Sequence, residues 1–177
     1  MNFKISNVKH YVSPPGLNVD RILNTYGTSL VDMKNAMKNK VFVHKRIDKG
    51  FQMDLAKQLE DLLKIHFRTG EYYYMGGYSP RMREKPDVAI GREGRPKKIF
   101  IEIEFRPNEH KDIVKFLIGH KKQTLELGIL IVAMNREVIN KNYSTMPEYE
   151  KCVQTIEELQ ADCPILVMGI EGKWAPR

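Results

Sequence analysis

The stretch KPDVAIGREGRPKKIFIEIEF, residues 85 to 105, decides the fold because it predicts a β-hairpin. Its two ends, KPDVAIG (85 to 91) and KIFIEIEF (98 to 105), carry the apolar and β-branched residues that are typical of strands. The residues between them include Gly94 and Pro96, which favour a tight connection. We therefore expect two antiparallel strands joined by a turn at 92 to 97.

The hairpin also predicts where three carboxylates lie. Successive side chains on a strand point to opposite faces, so Glu102 and Glu104 share one face of the second strand. If Gly91 pairs with Lys98 across the turn, Asp87 lies directly opposite Glu102, with Cβ atoms about 5 Å apart. A slip by one residue would move Asp87 to the other face. In the expected register the three acids converge on one patch.

An acidic patch of this kind needs a cation, because desolvated carboxylates on one face repel each other. No histidine or cysteine is local, so oxygen ligands favour Mg²⁺, Mn²⁺ or Ca²⁺ over zinc. Mg²⁺ held by one or two carboxylates is typical of a phosphodiesterase site. The alternative is a solvated strand face whose acids pair with Lys97, Lys98 or Arg95.

The composition favours a polyanionic partner. The chain has 177 residues, a net charge of +7 and a pI of about 9.3, which points to nucleic acid first and to anionic membrane surfaces second. No apolar run approaches the ~18 residues that span a bilayer. The N-terminus lacks the apolar core of a secretory signal, so we expect a cytoplasmic protein without a membrane partner. Cys152 and Cys163 fit no zinc pattern and are expected to be reduced.

Outside the hairpin, helices and strands alternate. Residues 18 to 40 favour one helix or two, with a break near Gly27. The last elements alternate in the βαβ manner, which predicts parallel strands covered by helices. The expected fold class is therefore α/β, with a central mixed β-sheet sandwiched between helices. The remaining predicted helices lie at 51 to 67, 110 to 127 and 148 to 162, and the remaining predicted strands at 128 to 134 and 164 to 170.

Two short motifs of the hairpin resemble a nuclease signature. PD (86 to 87) followed by EIE (102 to 104) is similar to the PD-(D/E)xK motif in the variant where glutamate replaces the final lysine. That variant resembles the BamHI and BglII group of type II restriction endonucleases. The resemblance covers residues 51 to 172, including the helix before the hairpin and the strand, loop, helix and strand at 101 to 134.

The resemblance implies a restriction-endonuclease-like fold and a catalytic role for each of the three acids. Asp87 and Glu102 would be ligands of Mg²⁺, with Mn²⁺ as a substitute, and Glu104 would take the place of the usual lysine. A further catalytic acid is expected near the end of the preceding helix, where Glu71 is preferred and Glu60 is the alternative. One nuclease domain is expected over 1 to 177, with 1 to 50 as an N-terminal helical extension and 51 to 172 as the catalytic core.

DNA contacts are predicted in basic and polar segments beside these motifs. Basic side chains make the predicted helix at 110 to 127 strongly basic, and they either meet phosphates or are ordinary surface charges: Lys111, Lys115, His120, Lys121 and Lys122. Segment 136 to 147 has Arg and Asn residues suited to base edges, and segment 78 to 85 has arginines that could reach phosphates. Segment 136 to 147 could equally be a plain surface loop. The predicted DNA-binding residues are Arg81, Arg83, Arg106, Asn108, Lys111, Arg136, Asn140 and Lys141.

Together these features predict a Mg²⁺-dependent type II restriction endonuclease. It would hydrolyse phosphodiester bonds of double-stranded DNA, and the resemblance implies a homodimer that cuts both strands at a short palindromic site. Two alternatives remain: a repair or junction-resolving nuclease of the same fold, and a DNA-binding protein without catalysis.

Overall fold

The computed structural model describes residues 2–43, 49–63, 86–92, 94–105, 109–134 and 148–175. In chain order its elements are β1 (Asn2–Ser13), α1 (Val19–Asn24), α2 (Leu30–Asn39), β2 (Val41–Val43), α3 (Lys49–Leu62), β3 (Val88–Ile90), β4 (Lys98–Glu104), α4 (Glu109–Lys121), β5 (Leu125–Ala133), α5 (Glu148–Glu158) and β6 (Ile165–Ala175).

The described strands form one mixed sheet in the order β2-β1-β6-β5-β4-β3. Strands β4, β5 and β6 are parallel, as the βαβ alternation predicts. Strand β3 pairs antiparallel with β4, and β1 pairs antiparallel with β6 and with β2. The predicted mixed sheet, with an antiparallel hairpin beside parallel strands, is confirmed.

Helices cover both faces of the sheet. Side chains of α1, α2 and α3 share one core with Ile99, Ile101 and Ile103 of β4. Side chains of α4 and α5 share a second core with Phe100, which points from the same strand to the opposite face. The predicted α/β class, with the sheet between helices, is therefore confirmed. Among the described helices, none is long and apolar enough to cross a membrane.

The N-terminal region contains strands where the sequence predicted only helices. Strand β1 is an interior strand of the sheet, and α1 and α2 are two separate helices with Gly27 between them at a φ of +76°. In β1 the register shifts between Ile5 and Asn7, so the buried positions do not follow a strict period of two. This bulge hides the strand from a periodicity search. The division of the chain into one nuclease domain stays a prediction.

The boundary between α4 and β5 also differs from the prediction. Helix α4 ends at Lys121 instead of continuing to residue 127, and β5 begins at Leu125. Gln123 has a φ of +59°, and the Thr124 backbone N–H and hydroxyl both donate to the carbonyl of Gly119. A residue in the left-handed region ends the helix, although it is not the glycine that usually signals such a stop.

Candidate active site

The hairpin register places Asp87 beside the strand that carries Glu102. Val88 pairs with Ile101, and the two following pairs continue the same register toward the turn. This is the register expected from the sequence, and it puts Asp87, one residue before β3, opposite Glu102. The Asp87 carboxylate oxygen Oδ2 accepts a hydrogen bond of 2.8 Å from the backbone N–H of Ile103. Asp87 is therefore anchored to β4 while its side chain stays exposed.

The two glutamates of β4 lie in different surroundings. Glu102 is only 3% exposed, whereas Glu104, nearer the end of the strand, is half-buried. On the edge of β4 away from β3, Glu102 pairs with Leu130 and Glu104 with Val132 of the parallel strand β5. Because strand residues two apart point the same way, both glutamates face the side of the sheet that α4 covers.

Lys115 of α4 is the buried counter-ion of Glu102. Its ammonium Nζ lies 2.7 Å from Glu102 Oε1 and 3.1 Å from Asp112 Oδ1. Lys115 and Asp112 are 5% and 3% exposed. The reading of Lys115 as a phosphate-contacting or ordinary surface lysine is wrong, because the face of α4 that carries it packs against the sheet.

Burial and neighbouring charges shift the titration of this group of residues. Burial raises the pKa of Glu102 to about 8, against the attraction of Lys115. Burial likewise raises the pKa of Asp112. Asp87 repels both carboxylates and pushes each pKa in the same direction. For Lys115, burial lowers the pKa, but its two acidic partners outweigh that effect and the pKa is raised.

The donor set fits a hard divalent cation by charge and by ligand type. With every group ionised, the carboxylates of Asp87, Glu102 and Asp112 and the ammonium of Lys115 leave two negative charges, which the exposed Lys111 near Asp112 partly offsets. One divalent cation neutralises that charge, and carboxylate oxygens are the ligands that Mg²⁺ and Mn²⁺ prefer. Within the described ranges, however, no three His, Cys, Asp or Glu side chains are gathered closely enough to hold a metal ion. The ammonium of Lys115 holds Glu102 instead.

The other predicted site residues are placed only in part. Glu60 lies in the last turn of α3, which packs on the face of the sheet opposite to Glu102. Lys111 is exposed on α4. The remaining predicted residues lie outside the described part of the chain: Glu71, Arg81, Arg83, Arg106, Asn108, Arg136, Asn140 and Lys141.

Sequence reasoning missed Asp112 and the partnership of Lys115. A weak signal was present. Asp112 and Lys115 are three residues apart, and each directly precedes an apolar residue of the predicted core face, Ile113 and Phe116. Charged residues beside the apolar stripe of a helix border its buried face. That position made a contact with the acidic face of β4 possible.

Comparison with known proteins identifies the family of this chain. A structure described as the restriction endonuclease BglII complexed with a DNA 16-mer matches this chain with a TM-score of 0.52 and 13% identity, covering 98% of this chain and 80% of that one. At this identity the match shows the fold alone. No curated protein matches. The model of the restriction endonuclease BglII/BglIII family matches residues 19–170, so the chain belongs to this family of DNA endonucleases.

Proposed function

We propose that this restriction endonuclease is a Mg²⁺-dependent type II enzyme that cuts double-stranded DNA at a short palindromic site as a homodimer. The single observation that carries the proposal is the anchoring of Asp87 to β4 opposite Glu102. Two carboxylates on opposite strands of one hairpin, near enough for Asp87 to raise the pKa of Glu102, are suited to be ligands of a divalent cation.

The three acids of the hairpin have two proposed roles. Asp87 and Glu102 would hold the cation, because they lie opposite each other in the hairpin register and in a region of excess negative charge. Glu104, two residues further along the same face, would orient the attacking water. When bound, a divalent cation supplies Lewis-acid activation of water and neutralises charge at the scissile phosphate.

The proposed substrate is supported by the charge of the whole chain and by the fold neighbour. A net charge of +7 draws a polyanion toward an active site that is itself acidic. The neighbouring BglII structure was determined with a DNA 16-mer. We propose that DNA is contacted by Arg81, Arg83, Arg106, Asn108, Lys111, Arg136, Asn140 and Lys141.

A palindromic target follows from the proposed homodimer. Two identical subunits related by a two-fold axis present the same contacts to both half-sites, so their target shares that symmetry. Each subunit would then cut one strand.

The test is digestion of plasmid DNA of known sequence by the purified protein with Mg²⁺, followed by sequencing of the ends. We expect discrete fragments that EDTA abolishes and added Mg²⁺ or Mn²⁺ restores. Cleavage only at branched DNA would favour a junction-resolving nuclease. Cleavage at no concentration of either ion would leave a DNA-binding protein.

Isosteric variants separate chemistry from folding. Asp87→Asn keeps an oxygen that can accept from the Ile103 N–H, so it should fold while losing at least ~100-fold in cleavage rate. Glu102→Gln should lose cleavage to a similar extent. Glu158→Gln, at an exposed glutamate of α5, is the matched control and should cut normally. Robust cleavage by either active-site variant would refute the assignment. Glu71→Gln and Glu60→Gln decide which of these two acids, if either, takes part.

A further inference from the structure

We infer that Lys115 is a resident counter-ion that a divalent cation must displace from Glu102, and that Asp112 receives the displaced ammonium. The inference rests on the proposed metal role of Glu102. It assigns positioning roles to two residues of α4, neither of which lies in the hairpin motif.

The geometry gives Lys115 two acceptors of different kinds. Glu102 belongs to β4, whose position is set by the sheet, and its Oε1 lies 2.7 Å from the ammonium. Asp112 lies one turn before Lys115 on the same helix, and its Oδ1 lies 3.1 Å away. An ammonium has three donors and can engage both carboxylates at once. If the contact with Glu102 breaks, Asp112 still compensates the buried charge of Lys115.

Burial makes a second acceptor necessary. Lys115, Glu102 and Asp112 are each at most 5% exposed, so water cannot take the place of a lost partner. A lysine with Glu102 as its sole acceptor would become an unpaired buried charge whenever a cation took that carboxylate. The pairing with Asp112 removes this penalty.

Competition between the Lys115 ammonium and the divalent cation for Glu102 decides whether each substitution strengthens or weakens metal binding. The ammonium and a divalent cation repel each other and share Glu102 as a ligand, so neutralising Lys115 should tighten metal binding. Neutralising Asp112 should weaken binding, because the displaced ammonium then has no acceptor. Changes next to metal ligands typically alter metal affinity by about 10–100-fold, and we expect about tenfold in each direction.

The experiment is a titration of the full chain with Mn²⁺ alone, followed by electron paramagnetic resonance of free Mn²⁺. The variants are Lys115→Gln, Asp112→Asn and the double variant that combines them. Glu102→Gln serves as the reference for loss of the ligand. This readout needs no DNA and no turnover.

If the ammonium moves from Glu102 to Asp112, the effects of Asp112→Asn and Lys115→Gln on Mn²⁺ affinity should not be additive. Asp112→Asn should weaken Mn²⁺ binding about tenfold in the wild-type background but less than about threefold in the Lys115→Gln background, because no ammonium then needs a second acceptor. Equal effects in both backgrounds would mean that Asp112 acts as a ligand or as a distant charge, and would overturn the inference. Weaker binding by Lys115→Gln would also overturn it.

Failure of the proposed function would look different. If wild type and Glu102→Gln bind Mn²⁺ equally, Glu102 is not a ligand, and the metal role and the exchange fall together. If only the double variant departs from expectation, the metal role of Glu102 stands and the exchange alone is refuted. Should Lys115→Gln fail to fold, Asp112→Asn alone still tests the exchange, because it keeps the Lys115–Glu102 pair: unchanged affinity for Mn²⁺ refutes the exchange.

Discussion

Replacing Lys115 with methionine should destabilise the metal-free protein more than replacing either of its acidic partners. Lys115→Met leaves Glu102 and Asp112, both only 3% exposed, without a cation. Removing one partner of a buried ion pair costs about 3–5 kcal/mol because a buried charge is left uncompensated. Glu102→Gln instead leaves Lys115 paired with Asp112, and Asp112→Asn leaves it paired with Glu102. Each of these should cost about 1.5–3 kcal/mol, the contribution of one hydrogen bond to a charged group, which is below the loss expected for Lys115→Met.

The free energy of unfolding is measured by urea denaturation in EDTA. A buffer of about pH 9 lies above the pKa of Glu102 in the wild type, which burial raises to about 8, so the wild-type carboxylate is ionised. Lys115→Met removes the charge that lowers this pKa, so protonation of Glu102 takes up part of the loss in that variant. The triple variant Lys115→Met, Glu102→Gln, Asp112→Asn carries none of the three charges and should recover most of the stability that Lys115→Met loses.

Two results would refute this reasoning. If Lys115→Met lowers the free energy of unfolding by less than about 1 kcal/mol, solvent screens the ion pairs and the three side chains are not buried in solution. If the triple variant is as unstable as Lys115→Met, the loss comes from packing of the lysine side chain and not from uncompensated charge.

Further expectations concern the rest of the core. Gly128→Ala should cost about 1–3 kcal/mol in urea denaturation, because a Cβ there would lie 2.5 Å from the Phe116 ring; an unchanged midpoint would contradict the packing of α4 on β5. Burial raises the pKa of the Cys163 thiol to about 12, so this cysteine should resist alkylation in the native protein up to about pH 9 and react once urea unfolds the protein. Mass spectrometry maps the labelled site, and labelling of the native protein at the rate of a free thiol would contradict the burial of Cys163. Tyr26→Phe removes a hydrogen bond of 2.7 Å to Glu126 and should lower the unfolding free energy by about 1 kcal/mol, and an unchanged value would mean that water replaces the hydroxyl at no cost.

The fold was predictable where periodicity and turn residues act together. The hairpin follows from a period-two strand, a turn with Gly94 and Pro96, and a register that can be counted from the turn. Strand β1 was missed because its bulge breaks the period of two, and its partner β6 lies more than 150 residues away in sequence. The early end of α4 was missed because Gln123 adopts a conformation for which glycine is the usual signal.

In the candidate site, too, local geometry could be predicted from the sequence and tertiary contacts could not. The opposition of Asp87 and Glu102 depends only on local strand geometry, so the sequence was enough to predict it. The burial of Lys115 depends on how α4 docks on the sheet, which is a tertiary contact. In the sequence this lysine is one of several basic residues on a helix, and only the weak signal of its place beside the apolar Phe116 separates it from the exposed Lys111.

Two acids of the hairpin, Asp87 and Glu102, are held by contacts of different origin, and neither contact needs a metal. The backbone of β4 holds Asp87 through the Ile103 N–H, and α4 holds Glu102 through the ammonium of Lys115. A site whose acids were tied together by a metal alone would lose its arrangement when the metal is removed. Here the hairpin and the helix hold the acids in place without a metal ion, and Lys115 offsets part of their repulsion. We therefore expect chelation to stop cleavage without unfolding the protein, because the cation is needed for the chemistry and the protein supplies its own counter-charge for the fold.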